Sequence, residues 1–250
     1  MSLESLPPSV GESAIQRTLA ANQVAAFYHD VFVDQQVADF RRLSSGRLGT
    51  DRVVVDIGGG CGFFAAQLSG GLNGSVRVID IDPLSVAEAK KRGVDAVLGN
   101  ALTPPKQGDE GIACFNLVLH HLVSDTERRT RALQTQALSA WRGDGVRVFV
   151  NEYIYESWVG DFSGWIIYQI TKNRLLSALG QAIARVVPTL HANTFGVGVR
   201  FRSNADWKRL FSEAGFATIG EVRGEEERIS LPRRLLFIKS IRRDSFLIAP

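Results

Sequence analysis

A chain of 250 residues, 45% hydrophobic and 22% charged, can bury a full core as one globular domain with an elaboration. That composition excludes the disordered, collagen-like and disulfide-scaffold classes. Lys and Arg exceed Asp and Glu by 29 to 26, and the resulting net charge of +3 is too small to argue for a nucleic-acid partner.

Residues 1–11 are polar and Pro-bearing, unlike a secretory leader, and no run reaches the ~18 apolar residues of a membrane span. Cys61 and Cys114 have neither CxxC nor Cys/His spacing, so no metal is implied and a reduced, cytoplasmic setting is expected. Residues 12–45 carry Ile15, Leu19, Phe27, Val37, Phe40 and Leu43 at helical intervals, closed by Gly46 and Gly49. The period then changes at Val53–Ile57, a β-branched run of the kind buried on both faces of a parallel sheet. Similar runs at 76–81, 96–98, 113–119 and 146–150 alternate with helical stretches at 63–68, 84–92 and 126–141. Strand and helix in alternation predict an α/β, doubly wound, Rossmann-like sheet. The alternation breaks over 153–200, an apolar and aromatic stretch read as a helical insertion. It resumes with a helix at 204–214 and strands at 217–222 and 235–238, which completes seven mostly parallel strands.

The segment from Asp56 to Gly62 carries the chemistry. Glycines between a strand and a helix let a backbone approach a ligand and leave helix N-terminal amides free, so a nucleotide-type ligand is expected. Asp80 follows about 20 residues on, where a carboxylate can accept from ribose hydroxyls. Gly60, Gly62 and Ala65 also satisfy the loose dinucleotide pattern, but Asp56 would repel a pyrophosphate. An ammonium group beside a cationic sulfonium meets no such conflict.

The D-x-G-x-G-x-G run of 56–62, Asp80, Gly99-Asn100-Ala101, Leu117-Val118-Leu119-His120-His121-Leu122 and the Gly143-Asp144-Gly145 turn together resemble the class I S-adenosylmethionine-dependent methyltransferases. The resemblance covers residues 53–152 and, loosely, the end of the chain. It implies that Gly58, Gly60 and Gly62 shape a loop around the methionine part of S-adenosylmethionine, with Asp56 on its amino end. Asp80 would bind the ribose, and Asn100 with Ala101 the adenine, Asn100 standing where the family often has an acid. Asn116 and His120 would lie near the methyl group. On this reading 1–49 is an N-terminal helical lid, 50–152 the cofactor-binding core, 153–200 a helical substrate cap and 201–250 the C-terminal part of the core sheet.

The expected activity is methyl transfer to a small, hydrophobic or aromatic acceptor, with His120, Glu152 and Tyr155 as catalytic candidates where a doubly wound sheet opens its crevice. No metal is required for it. Nucleic acid is disfavoured because the D/N-P-P-Y/F motif is replaced by Asn116-Leu117-Val118-Leu119. Peripheral contact with lipid and a homodimer are both compatible with the 153–200 stretch. The rival readings are an NAD(P)-dependent oxidoreductase on the same fold and a non-catalytic S-adenosylmethionine-binding protein. Asp82, followed by Pro83, is either a ligand or a helix cap. His120 and His121 are alternatively buried histidines that satisfy the next helix, and Tyr28, His29 and His191 read as packing or surface residues.

Overall fold

The computed structural model describes residues 32–49, 52–71, 74–143, 145–186 and 198–250. Most of the stretch read as a lid, with Tyr28 and His29, lies outside the described residues, as does His191.

Seven strands, β1 Val53–Ile57, β2 Val76–Asp80, β3 Asp95–Leu98, β4 Glu110–Asn116, β5 Arg147–Ser157, β6 Ala217–Val222 and β7 Ile238–Ala249, form one sheet in the order β3-β2-β1-β4-β5-β7-β6. The first five pair in parallel, whereas β7 runs antiparallel to both β5 and β6. Helices α1 Val33–Ser44, α2 Phe63–Ser69, α3 Pro83–Lys91, α4 Glu127–Ser139 and α7 Asn204–Glu213 flank the sheet. Helices α5 Phe162–Lys172 and α6 Arg174–Val186 follow β5, and a single turn, α8 Leu231–Arg234, precedes β7.

Strand alternation sorts the core into two layers. Val55, Ile57, Phe115 and Val150 face Leu138 of α4 and Trp207 and Phe211 of α7. Val54, Val78, Cys114 and Phe149 face Phe40 of α1 and Phe64 and Leu68 of α2. All five residues of β1 are buried, which is what its uninterrupted Val-Val-Val run requires. Each of its Val and Ile side chains contributes about 1.5–3 kcal/mol on leaving water. A buried polar relay fastens α1 to the sheet: Gln36 Nε2 donates to Asn151 Oδ1, Asn151 Nδ2 to Ser245 Oγ, and Ser245 Oγ to Asp39 Oδ2.

Three boundaries depart from expectation. The fourth strand ends at Asn116 rather than 119, because Leu117 turns out at φ 56° and residues 119–121 wind into a 3-10 turn. The fifth strand continues through Ser157, so Tyr153–Ser157 belong to the sheet and the insertion starts later than 153. Here the partner strand β7 is long enough to pair with the extension, Tyr153 opposite Arg243 and Ser157 opposite Ile238. The last strand runs from Ile238 to Ala249, not over 235–238, since Leu231–Arg234 form a helical turn capped by Leu235, residues 235–237 lie in its exit, and the polar residues beyond 238 pair with β5 and β6.

Candidate active site

The carboxyl ends of β1, β2 and β4 meet at a turn of glycines. Gly58, Gly60 and Gly62 have φ of 66°, 52° and 77°, values that a β-carbon opposes. Their surroundings differ. A β-carbon at Gly58 would stand 2.8 Å from Val118 Cγ2, whereas one at Gly60 would meet open space. The first glycine is demanded by packing, and the second borders the crevice.

Asp80 braces this turn. Its Oδ2 accepts from Gly60 N at 2.9 Å and its Oδ1 from Asp82 N at 2.8 Å, and burial pushes its carboxyl above the usual range. Asp82 caps α3 by accepting from Leu84 N and Ser85 N, so the cap reading of that residue is the one observed. Asp56 is buried under the loop and accepts from Asn116 Nδ2 at 3.0 Å. Asn116 Oδ1 is buried and has no hydrogen-bond partner among the described residues. Across β2, Asn100 Oδ1 accepts from Leu102 N at 2.8 Å, and Ala101 is buried in the layer that holds Ile79. The eight residues read as cofactor contacts thus lie along the β1, β2, β3 and β4 ends of the sheet.

His120, Glu152 and Tyr155 gather one strand further along. Glu152 is fully buried; its Oε2 lies 2.7 Å from His120 Nδ1, and its Oε1 accepts from Leu119 N at 2.7 Å. A buried carboxylate is tolerated because the turn's amides and the imidazole answer it. His121 packs against His120 with ring centroids 4.1 Å apart, and burial, with a lesser contribution from the neighbouring His120, holds its imidazole well below the ordinary value. Tyr155 does not touch His120. Between them stands Phe201, 4.9 Å from the His120 ring and stacked on Tyr155 at 4.3 Å and 8°. Burial raises the Tyr155 phenol, so it stays protonated.

Phe201 and its neighbours escaped the reading of the sequence. Residues 198–203 return from the insertion beside β5, with Arg200 N donating to His120 O and Tyr155 N to Arg202 O. The flanking arginines are buried: Arg200 pairs with Glu127 and Asp161, and Arg202 with Glu127, Asp206 and Gln134. Gly164 of α5 is needed here, because a β-carbon would run into Phe201 O. Two arginines flanking an aromatic in a stretch without acids were the available sign, but apart from Asp206, four positions on, their partners lie 39 to 75 positions away. Tyr168 is no cap residue facing the crevice; it is fully buried and donates to Ser124 O, while Trp165 is exposed.

No protein family profile and no curated protein matches the sequence. Solved structures do match. A geranyl diphosphate methyltransferase in complex with SAM is similar at a TM-score of 0.57 with 12% identity, covering 96% of this chain and 92% of that one. The MccD protein gives 0.56 and 12%, with 86% and 96% covered. The magnesium protoporphyrin IX methyltransferase ChlM from Synechocystis PCC 6803, with bound SAH, gives 0.51 and 16%, with 96% and 90% covered. At these identities the likeness is one of architecture, and sheet order, antiparallel β7 and flanking helices agree with it: the chain has the fold of the class I methyltransferases.

Proposed function

We propose that the chain is an S-adenosylmethionine-dependent methyltransferase acting on a small, hydrophobic or aromatic acceptor. The observation that carries this reading is the convergence of Asp56, Asn116, the open side of Gly60 and Asp80 on one end of the sheet. These residues fit the cofactor. Asp56 and Asn116 offer acceptors to an ammonium group, Gly60 leaves room beside the loop, and each Asp80 oxygen keeps a lone pair for a ribose hydroxyl after its backbone bond. Asn100 likewise retains a lone pair toward an adenine amine. When bound, the cofactor supplies a methyl group on a positively charged sulfur, already an excellent leaving group.

What remains for the protein is orientation, exclusion of water and, for a hydroxyl acceptor, removal of a proton. Glu152 beside Nδ1 favours the tautomer with the proton on that nitrogen and leaves His120 Nε2 as the acceptor. Phe201 supplies an apolar wall against the imidazole, which suits an aromatic or aliphatic acceptor. Tyr155, held protonated, is a hydrogen-bond donor rather than a base. The similar protein named for geranyl diphosphate is a methyltransferase of a small molecule with an apolar chain, which agrees with this class of acceptor. Nicotinamide chemistry is not favoured, because dinucleotide folds of this kind continue 3-2-1-4-5-6, without an antiparallel strand inserted beside the fifth.

The test is transfer of label from methyl-labelled S-adenosylmethionine to a panel of small hydrophobic alcohols, phenols and carboxylic acids. Labelled product is expected from the wild type, and His120→Ala should lower its rate about 10²–10⁴-fold with S-adenosylhomocysteine affinity retained. Cofactor binding without transfer to any acceptor class would favour the non-catalytic reading instead.

A further inference from the structure

We propose that the face built by the end of β5, helices α5 and α6 and the α8 turn docks on the surface of an anionic lipid bilayer. Most of the large apolar side chains exposed among the described residues collect there. Trp158 is 66% exposed and is joined by Val159, Phe162 and Trp165; from the far end of the chain, Leu231 at 78% and Leu235 at 81% accompany Phe237. The two groups touch, since Trp158 N donates to Phe237 O and the Phe162 ring lies 5.2 Å from Phe237.

Helix α5 is turned inside out. Its buried residues are Ser163, Gly164, Tyr168 and Thr171, while Phe162 and Trp165 face outward, their rings stacked at 5.8 Å. Leu175 at the start of α6 is 82% exposed. A surface of this kind marks a contact with something apolar.

Charge selects the occupant. Residues 162–205 contain no carboxylate and five cations, of which Arg200 and Arg202 are spent in buried ion pairs, leaving Lys172, Arg174 and Arg185. Residues 228–243 also lack a carboxylate and expose Arg228, Arg234 and Lys239, none of them ion-paired among the described residues. Lys239 lies over the Trp158 ring, 5.8 Å from its centre. The nearby acids are largely answered: Glu156 by Arg242, Asp161 by Arg200 and Glu226 by Arg223. Glu227 shares its groove with Arg228, Arg234 and Lys239, which outnumber it. Tryptophan and leucine ringed by Lys and Arg suit the boundary between acyl chains and anionic headgroups. A second copy docking through the same face would set these cations against themselves across a twofold axis.

The proposal is independent of methyl transfer and is tested on the full chain by sedimentation with phosphatidylcholine vesicles, with and without phosphatidylglycerol. Binding is expected only where phosphatidylglycerol is present, should fall with added salt, and should shift tryptophan emission to shorter wavelength. Trp158→Ser with Leu235→Ser should abolish it. Arg234→Ala with Lys239→Ala, which leaves the apolar side chains in place, should weaken it about 25-fold, near fivefold for each cation. Circular dichroism would show both variants folded. No sedimentation with phosphatidylglycerol vesicles would overturn the proposal. So would sedimentation that neither double variant reduces, or a wild-type dimer that Trp158→Ser with Leu235→Ser dissociates while vesicle binding persists.

Discussion

At Gly60 and Asp80 one short contact serves the loop and the crevice together. Because Asp80 Oδ2 accepts from Gly60 N, Asp80→Asn should disturb the turn as well as the ribose contact. We expect it to weaken S-adenosylhomocysteine binding by roughly 10–150-fold, the worth of about 1.5–3 kcal/mol for a hydrogen bond to a charged group. Titration calorimetry reads this directly, and an unchanged affinity would remove Asp80 from the site. Gly60→Val should block binding more than folding, since a β-carbon there enters open space; equal affinity in a folded variant would sink the loop assignment. His121 contributes one part of the pH dependence. Its native value lies below the ordinary 6.5, so the stability of its neutral form is present above 6.5 and is lost as the pH falls toward and through the native value. Urea midpoints between neutral and mildly acidic pH should therefore fall less in His121→Gln than in the wild type. These residue-scale features were unevenly legible. Asp56, the glycines and Asp80 stand close together in a recognisable order, whereas the carboxylate that holds His120 was visible only as a candidate, 32 positions away.

The elements that frame the acceptor side meet through buried charge. Arg202 joins β5's companion segment to α4 and α7 by way of Glu127, Gln134 and Asp206. Arg202→Met takes one cation from Glu127 and Asp206, which keep Arg200 and Arg131, and should cost about 1.5–3 kcal/mol, measured as a lower urea midpoint. A loss below about 1 kcal/mol would mean that the cluster does not hold the segment. Phe201→Ala should raise the apparent acceptor constant and leave cofactor affinity nearly unchanged, because its ring meets His120 and Tyr155 rather than the glycine loop. Strand β5 shows where periodicity stops being informative. Its extension, Tyr153–Ser157, mixes polar and aromatic residues because one end is buried and the other lines an opening, and only its pairing with β7 identifies it as strand. For the same reason Trp165 and Tyr168, three positions apart in one helix, read alike in sequence but occupy opposite environments.

Over the whole molecule, local periodicity was enough for the parallel half of the sheet. Strands β1, β2 and β4 are short, mostly apolar and followed by a helical stretch, so element order goes far toward fixing neighbours. The antiparallel β7 was less legible, because its polar residues Arg242, Asp244 and Ser245 are buried by partners from β5, α1 and the first residue of α7 rather than by hydrophobic pattern. The buried relay through Asn151, Ser245 and Asp39 belongs to the same class, since a polar residue announces exposure until its partner is known. The central claim is that the β1, β2 and β4 ends of this sheet bind S-adenosylmethionine. Its most direct test is the melting temperature with S-adenosylhomocysteine and, in parallel, NAD. Saturation at about 100 times the dissociation constant adds about 2.7 kcal/mol, which for a chain of this size raises the midpoint by about 5–10 °C. That rise with S-adenosylhomocysteine and none with NAD is the expected result; a rise with NAD alone would contradict the account.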